Sequence, residues 1–105
     1  MVRAEFIGNR KDGYSGFTIS GHAMPPGRDS EYDMVCAAVS SAVYLTCNML
    51  TEYVGGCAAK QGENEISLRA DLSTGAVHSA ICALEDHLRE MSARYPENIT
   101  IIIGG

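Results

Sequence analysis

The sequence predicts an α+β domain with the element order ββαββαβ, in which a mainly antiparallel or mixed sheet packs against two helices. Three observations predict it. Apolar and polar side chains alternate within residues 2–20 and again within residues 57–70, as they do in β-hairpins. A long apolar run, 34–54, contains neither Gly nor Pro, and an apolar stripe at helical spacing follows after residue 76. A chain of 105 residues without an internal linker is expected to form a single domain, 1–105.

The first two strands are predicted from alternation on either side of a turn. Residues 2–8 place Val2, Ala4 and Phe6 on one face and charged side chains on the other. The stretch NRKDGYSG then supplies the Asn, Asp and Gly residues that favour turns. Alternation resumes over residues 17–20. A hairpin is therefore expected at the start of the chain.

The first helix is predicted over Met34 to Val54, which is too long for a typical strand. Apolar residues occupy most of its circumference, so we expect a largely buried central helix. Gly55 and Gly56 follow it, and glycine readily adopts the left-handed backbone that ends many helices.

The second half of the chain repeats the pattern of hairpin and helix. CAAKQGENEISLRAD predicts a hairpin that turns near residues 61–64. The second helix is predicted from apolar residues at spacings of three and four, namely Val77, Ile81, Leu84, Leu88 and Met91. His78 and His87 lie off this stripe and are expected to be exposed. Pro96 lies beyond the helix, and alternating isoleucines predict a final strand near residues 99–103.

Composition and charge restrict the class of protein. The chain is 46% hydrophobic and 20% charged, as soluble globular proteins are, and its net charge is −5. An acidic chain is poorly suited to bind a phosphate backbone, so no direct nucleic-acid partner is expected. Charged residues interrupt the N-terminal segment, and we expect no apolar run that approaches the length of a membrane span. These features predict a cytoplasmic protein without a membrane partner.

The cysteines are expected to be free thiols, because a reducing cytoplasm disfavours disulfides. Their spacing lacks the close Cys-x-x-Cys pairs of structural zinc sites, so neither a metal nor a cofactor is expected. Three of them are interpreted as structural residues: Cys47, Cys57 and Cys82.

A candidate nucleophile lies in the segment GHAMPPGRDSEYDMVCAAVS, residues 21–40. Asp33 directly precedes the predicted helix and is expected to be its N-cap residue. Cys36 would then lie in the first helical turn, where the positive end of the helix dipole favours a thiolate. Backbone amides of that turn could also stabilise an oxyanion.

His22 is the candidate general base for this thiol. The loop between them contains two prolines and Gly27, and can fold back so that the end of the second strand meets the helix. Gly21 keeps bulk away from the imidazole. Ser40, one helical turn after Cys36, either donates a hydrogen bond into the site or bonds back to its own helix. Such a pair would perform acyl transfer.

A structural interpretation of the same residues remains open. A cysteine in a helix rich in Ala and Val is commonly a small buried hydrophobe. A single histidine at the end of a strand is commonly structural or exposed. The residues alone do not decide between these interpretations and catalysis.

The chain resembles the ribosomal-processing cysteine protease family in three segments, namely SGHA at 20–23, DMVCAAVSSAV at 33–43 and RYPENITI after the second helix. The resemblance implies a homodimeric endopeptidase that removes a short N-terminal extension from the precursor of a bacterial large-subunit ribosomal protein. It places the base on His22 and the nucleophile on Cys36, with Asp33 and Ser40 in supporting positions.

Two departures from the family pattern concern the substrate cleft. The connector between histidine and cysteine is longer than expected and contains tandem prolines, and Met34 replaces a branched aliphatic residue. No third catalytic residue is assigned. The alternative function is a non-catalytic module that binds the ribosome or assists its assembly, in which His22 and Cys36 are structural.

Overall fold

The computed structural model describes residues 1–21 and 30–104, with the side chains of 1–21 and 34–104. The order ββαββαβ is confirmed. Strands are β1 (Val2–Asn9), β2 (Gly13–Ser20), β3 (Cys57–Gly62), β4 (Glu65–Ala70) and β5 (Ile99–Gly104). Helices are α1 (Ser30–Asn48), which continues as a π-helical segment (Met49–Val54), and α2 (Gly75–Arg94).

The five strands form one mixed sheet in the order β3-β4-β2-β1-β5. All neighbours are antiparallel except β1 and β5, which are parallel. The register aligns apolar residues across the sheet, because Ala4 pairs with both Ile19 and Ile101, and Ile19 pairs with Ile66. Side chains alternate between the two faces of a strand, so these residues share one face. The predicted fold class is therefore confirmed.

The core lies between that sheet face and the two helices. Val2, Ala4 and Phe6 are buried, whereas Arg3 on the other face is exposed. The predicted stripe of α2 packs into the same cluster, with only Met91 partly buried. The β3–β4 hairpin turns at residues 63–64, inside the predicted range.

Helix α1 begins about one turn earlier than predicted, at Ser30 instead of Met34. Residues 30–33 contain no helix breaker, and the acidic residues Glu31 and Asp33 suit the positive end of a helix dipole. The helix ends where predicted, at Gly55 and Gly56, both of which have positive φ.

The prediction that this helix is largely buried is wrong. Val35, Val39 and Val43 face the sheet and are buried, but Leu45 is 71% exposed and Tyr53 is 87% exposed. The reason is geometric, because the sheet covers only one side of the helix while apolar residues surround it.

The helical segment Met34–Val54 is also long and apolar enough to cross a membrane by length and composition. The prediction that no apolar run approaches this length is therefore wrong. A core helix of a soluble protein passes the same test, and this one contributes Val35 and Leu50 to the core, so the segment is weak evidence for a membrane.

Candidate active site

Cys36 lies beside the end of β2. It is the seventh residue of α1, its side chain is 8% exposed, and its Sγ atom is 4.0 Å from the carbonyl oxygen of Gly21. Gly21 directly follows β2 and directly precedes His22. The chain thus returns to the helix as predicted and brings the backbone before His22 next to the thiol.

Gly21 lies between the β3–β4 turn and the first residue of the chain. Its amide donates to the carbonyl oxygen of Asn64 in the β3–β4 turn at 2.9 Å. Its φ is +88°, and a Cβ atom at this position would lie 2.2 Å from the carbonyl oxygen of Met1. Glycine is therefore required by backbone conformation and by a close approach of the first residue.

Two predicted site residues, His22 and Gly27, lie outside the described residues, and so does the side chain of Asp33. The contact between His22 and Cys36 stays a prediction, as does the part of Gly21 in leaving room for the imidazole.

The prediction that Asp33 is the N-cap residue is wrong, because α1 begins at Ser30 and Asp33 is its fourth residue. Cys36 consequently lies in the second turn and not in the first. A helix start leaves only its first four amides unpaired, so the amide of Cys36 lies beyond them. This placement removes the unpaired amides that were predicted beside Cys36 as oxyanion donors. It also weakens the effect of the helix dipole on the Cys36 thiol.

The contact with the carbonyl oxygen of Gly21 does not itself activate the Cys36 thiol. A carbonyl oxygen can accept a hydrogen bond from a thiol, but it offers no donor or positive charge to a thiolate. A nucleophilic Cys36 therefore requires a separate base, and this requirement agrees with the predicted role of His22.

One row of residues extends from Cys36 along α1. Ser40 follows one turn later and is half-buried, and Tyr44 follows another turn later and is exposed. The side-chain Nε2 atom of Gln61 in β3 donates to the hydroxyl oxygen of Tyr44 at 2.8 Å. Tyr44 was not among the predicted site residues, although the spacing of four residues between Cys36, Ser40 and Tyr44 places all three on one side of the helix.

The other cysteines have the environments expected of structural residues. Cys47 is buried, and burial raises the pKa of its thiol to about 11. Cys57 is half-buried, and burial and then the charge of Asp71 raise the pKa of its thiol as well. Both thiols are thereby kept protonated near neutral pH. All four cysteines are free thiols.

A second Cys–His pair on α2 is not arranged for catalysis. His78 was predicted to be exposed, but it is half-buried, and its Nδ1 atom accepts a hydrogen bond from the backbone amide of Tyr14 at 3.0 Å. The Sγ atom of Cys82 is 3.4 Å from Nε2 and 3.8 Å from Nδ1, which places it beside the ring and not along an N–H bond. His78 therefore links α2 to β2 through the amide of Tyr14, while His87 is exposed as predicted.

The fold and a cysteine held against the end of β2 fit a cysteine protease domain. A family model described as cysteine protease Prp matches residues 1–100. The chain belongs to the Prp cysteine protease family and is a peptide-bond hydrolase by class. The predicted family is thus confirmed.

Solved structures share the fold over nearly the whole chain. SMU.848 from Streptococcus mutans has a TM-score of 0.80 at 24% identity, and the match covers 98% of this chain and 96% of that one. The essential ribosomal processing protease Prp from S. aureus, in complex with a substrate peptide, has a TM-score of 0.81 at 16% identity, covering 99% and 100%. The S. aureus protein with a covalently linked product peptide has a TM-score of 0.77 at 16% identity, with the same coverage. No curated protein sequence matches the chain.

Proposed function

We propose that this protein is an endopeptidase that removes the N-terminal extension of a bacterial large-subunit ribosomal protein precursor, with Cys36 as nucleophile and His22 as general base. The observation that carries the proposal is the Sγ atom of Cys36 next to the carbonyl of Gly21, the residue before His22. Family membership supports the proteolytic chemistry. The S. aureus relative, a ribosomal processing protease that binds a substrate peptide, supports the class of substrate.

The chemistry proceeds by two acyl transfers. His22 takes the proton of the Cys36 thiol, and the thiolate attacks the carbonyl carbon of the scissile bond to form a C–S bond. When the tetrahedral intermediate collapses, the C–N bond breaks and His22 returns the proton to the leaving amine. Water, deprotonated by His22, then attacks the thioester, and the C–S bond breaks to regenerate the thiol. Ser40 and Asp33 support the position of the nucleophile without taking part in proton transfer.

The proposed enzyme is a cytoplasmic homodimer, since its substrate is made in the cytoplasm and the family resemblance implies a dimer. An apolar groove of about 620 Å³ lies between α1 and α2, with Ala38, Ala42 and Ala83 in its lining and Leu45 at its rim. Leu45 is 71% exposed. A second copy of this chain would remove that apolar surface from water.

The alternative is a non-catalytic module that binds the ribosome or assists its assembly. One observation favours it: Cys36 is buried and its thiol contacts a carbonyl oxygen, as a structural cysteine would.

Alkylation by iodoacetamide separates the two functions. Cys57 and Cys82 are more exposed than Cys36. If labelling of the native protein followed exposure alone, Cys36 would react after them, and the non-catalytic module would be favoured. The endopeptidase instead predicts that Cys36 reacts first near neutral pH, because a base supplies the thiolate. Incubation with the precursor, followed by mass spectrometry of its new N-terminus, then maps the scissile bond.

A further inference from the structure

The attack of Cys36 on a peptide bond would leave a negative charge on the carbonyl oxygen, and this oxyanion needs hydrogen-bond donors. The amide of Cys36 lies beyond the unpaired amides at the start of α1. The amide of Gly21, the residue whose carbonyl contacts the thiol, donates to the carbonyl oxygen of Asn64 at 2.9 Å. Neither of these two amides is therefore available to the oxyanion.

The pairing of β2 with β4 places Asn64 opposite Gly21. The register of the two strands ends with the pair of Ser20 and Glu65, and the hydrogen bond from Gly21 to Asn64 continues it by one residue. Directly opposed residues place their side chains on the same face of a sheet, with Cβ atoms about 4.5–5.5 Å apart. Because Gly21 has no side chain, its own pairing partner leaves space beside the side chain of Asn64.

Asn64 lies on the face of the sheet that packs against the helices, as Cys36 does. Residues two apart in an extended chain share a face, and Asn64 is two residues before Ile66, which is buried in the core. Asn64 and Tyr44 of α1 also border the same hollow. The Sγ atom of Cys36 is 4.0 Å from the carbonyl oxygen of Gly21, so Asn64 and Cys36 flank Gly21 on one side of the sheet.

The side chain of Asn64 has the chemistry of an oxyanion donor. Its Nδ2 atom carries two N–H donors and no charge. The side chain is exposed, and it makes no hydrogen bond within the described ranges 1–21 and 30–104. It can therefore donate to a bound peptide without breaking a hydrogen bond to these parts of the chain.

We propose that Asn64 is a catalytic residue whose Nδ2–H group donates a hydrogen bond to the oxyanion formed when Cys36 attacks the scissile carbonyl. This role rests on the proposed endopeptidase function. As the C–S bond forms, the second electron pair of the C=O bond moves onto the oxygen, and Asn64 keeps its proton throughout. The charge on the oxygen develops only on the way to the tetrahedral intermediate, so loss of the donor lowers kcat and leaves KM nearly unchanged.

Two substitutions separate a donor from a residue that only shapes the turn. Asn64→Ala removes the amide, and Asn64→Asp replaces it with a carboxylate of nearly the same shape. Asp suits turns as well as Asn does, so a purely structural Asn64 predicts wild-type cleavage by Asn64→Asp. As an oxyanion donor, Asn64 predicts that both variants lower kcat about 100-fold on a peptide that spans the mapped junction. Glu63→Gln, at the exposed neighbour in the same turn, is the matched control and should keep the wild-type kcat.

Alkylation of Cys36 by iodoacetamide shows which step Asn64 assists. This reaction displaces iodide from a saturated carbon and forms no oxyanion, so Asn64→Ala should be labelled at Cys36 at the wild-type rate, as measured by mass spectrometry. A purely positioning role predicts instead that labelling slows together with cleavage.

Three results would overturn the assignment: a wild-type kcat in Asn64→Asp, a loss expressed only in KM, or alkylation that slows as much as kcat. If Asn64→Ala did not fold, the kcat of a folded Asn64→Asp variant would decide alone. Failure of the endopeptidase function is distinct, because the wild-type protein would then cleave neither the precursor nor the junction peptide.

Discussion

Glu85 on α2 is the centre of a buried charge network, and its replacement by Gln is a quantitative test of the fold. Its side chain is 4% exposed and accepts hydrogen bonds from the hydroxyl of Tyr14 and from the guanidinium groups of Arg10 and Arg89. Burial alone would raise the pKa of Glu85, but the hydrogen bonds from Tyr14, Arg89 and Arg10 and the charge of Arg10 outweigh it. The pKa of this carboxyl is therefore lowered.

We predict that Glu85→Gln lowers the free energy of unfolding by about 2 kcal/mol at pH 7, since hydrogen bonds to a charged group contribute about 1.5–3 kcal/mol. The loss is not larger because Arg10 and Arg89 are about half exposed and are rehydrated when the carboxylate is removed. Glu90→Gln, which removes an exposed ion pair with Arg94, is the matched control and should cost less than about 0.5 kcal/mol.

The pH dependence follows from the direction of the pKa shift. A carboxyl whose pKa is lower in the folded state stabilises the protein above its unfolded pKa of about 4.3, and this contribution is lost as the pH falls through the folded pKa. A protonated Glu85 has nearly the shape of Gln. The difference between wild type and Glu85→Gln, measured by urea denaturation, should thus be constant from about pH 6 to 8 and shrink below about pH 4.3. A difference that grows at low pH, or a cost at pH 7 no larger than that of Glu90→Gln, would refute this account of the network.

Three further predictions concern the dimer, the strand end and the start of α1. Leu45→Glu should convert the proposed dimer into a folded monomer by light scattering, and an unchanged mass would exclude the groove as the interface. Gly21→Ala should cost more stability in urea than Gly55→Ala, because both have positive φ but only a Cβ at Gly21 meets the chain, and equal costs would contradict the close approach. Gly55→Ala should cost about 1–3 kcal/mol, because its φ of 84° and ψ of 170° lie in a region that essentially only glycine adopts. Asp33→Ala should lower the free energy of unfolding by less than the roughly 1 kcal/mol that a lost N-cap costs. Asp33→Asn should keep both its stability and its cleavage activity. A folded but inactive Asp33→Asn variant would assign the carboxylate a catalytic role.

The strands and α2 could be predicted because local alternation and spacing encode which side of each element is buried. Val2, Ala4 and Phe6 show this for β1, and their burial follows from period two alone. The exposed side of α1 could not be predicted in this way. Apolar residues surround that helix, so the sequence does not show which of them the sheet leaves uncovered.

The candidate site was predicted only as far as local sequence determines it. The prediction that the end of β2 meets α1 was correct, because the Sγ atom of Cys36 lies 4.0 Å from the carbonyl oxygen of Gly21. A side chain at Gly21 would meet the carbonyl oxygen of Met1, and the His78 ring is held against β2 by a hydrogen bond from the amide of Tyr14. Both contacts join residues far apart in the chain, and no local pattern records them. The start of α1 at Ser30 was missed because Asp33 is as suitable for a first helical turn as for an N-cap.

Cleavage of the purified ribosomal protein precursor by matched cysteine variants tests the central claim most directly. The wild-type protein and Cys57→Ala should each produce the shortened protein, because Cys57 has no part in the reaction, and mass spectrometry should find the same new N-terminus. Cys36→Ala should stay folded by circular dichroism and yield no product, since no other group replaces the thiolate. A folded Cys36→Ala variant that cleaves the precursor at the wild-type rate would contradict the assignment of Cys36 as the nucleophile.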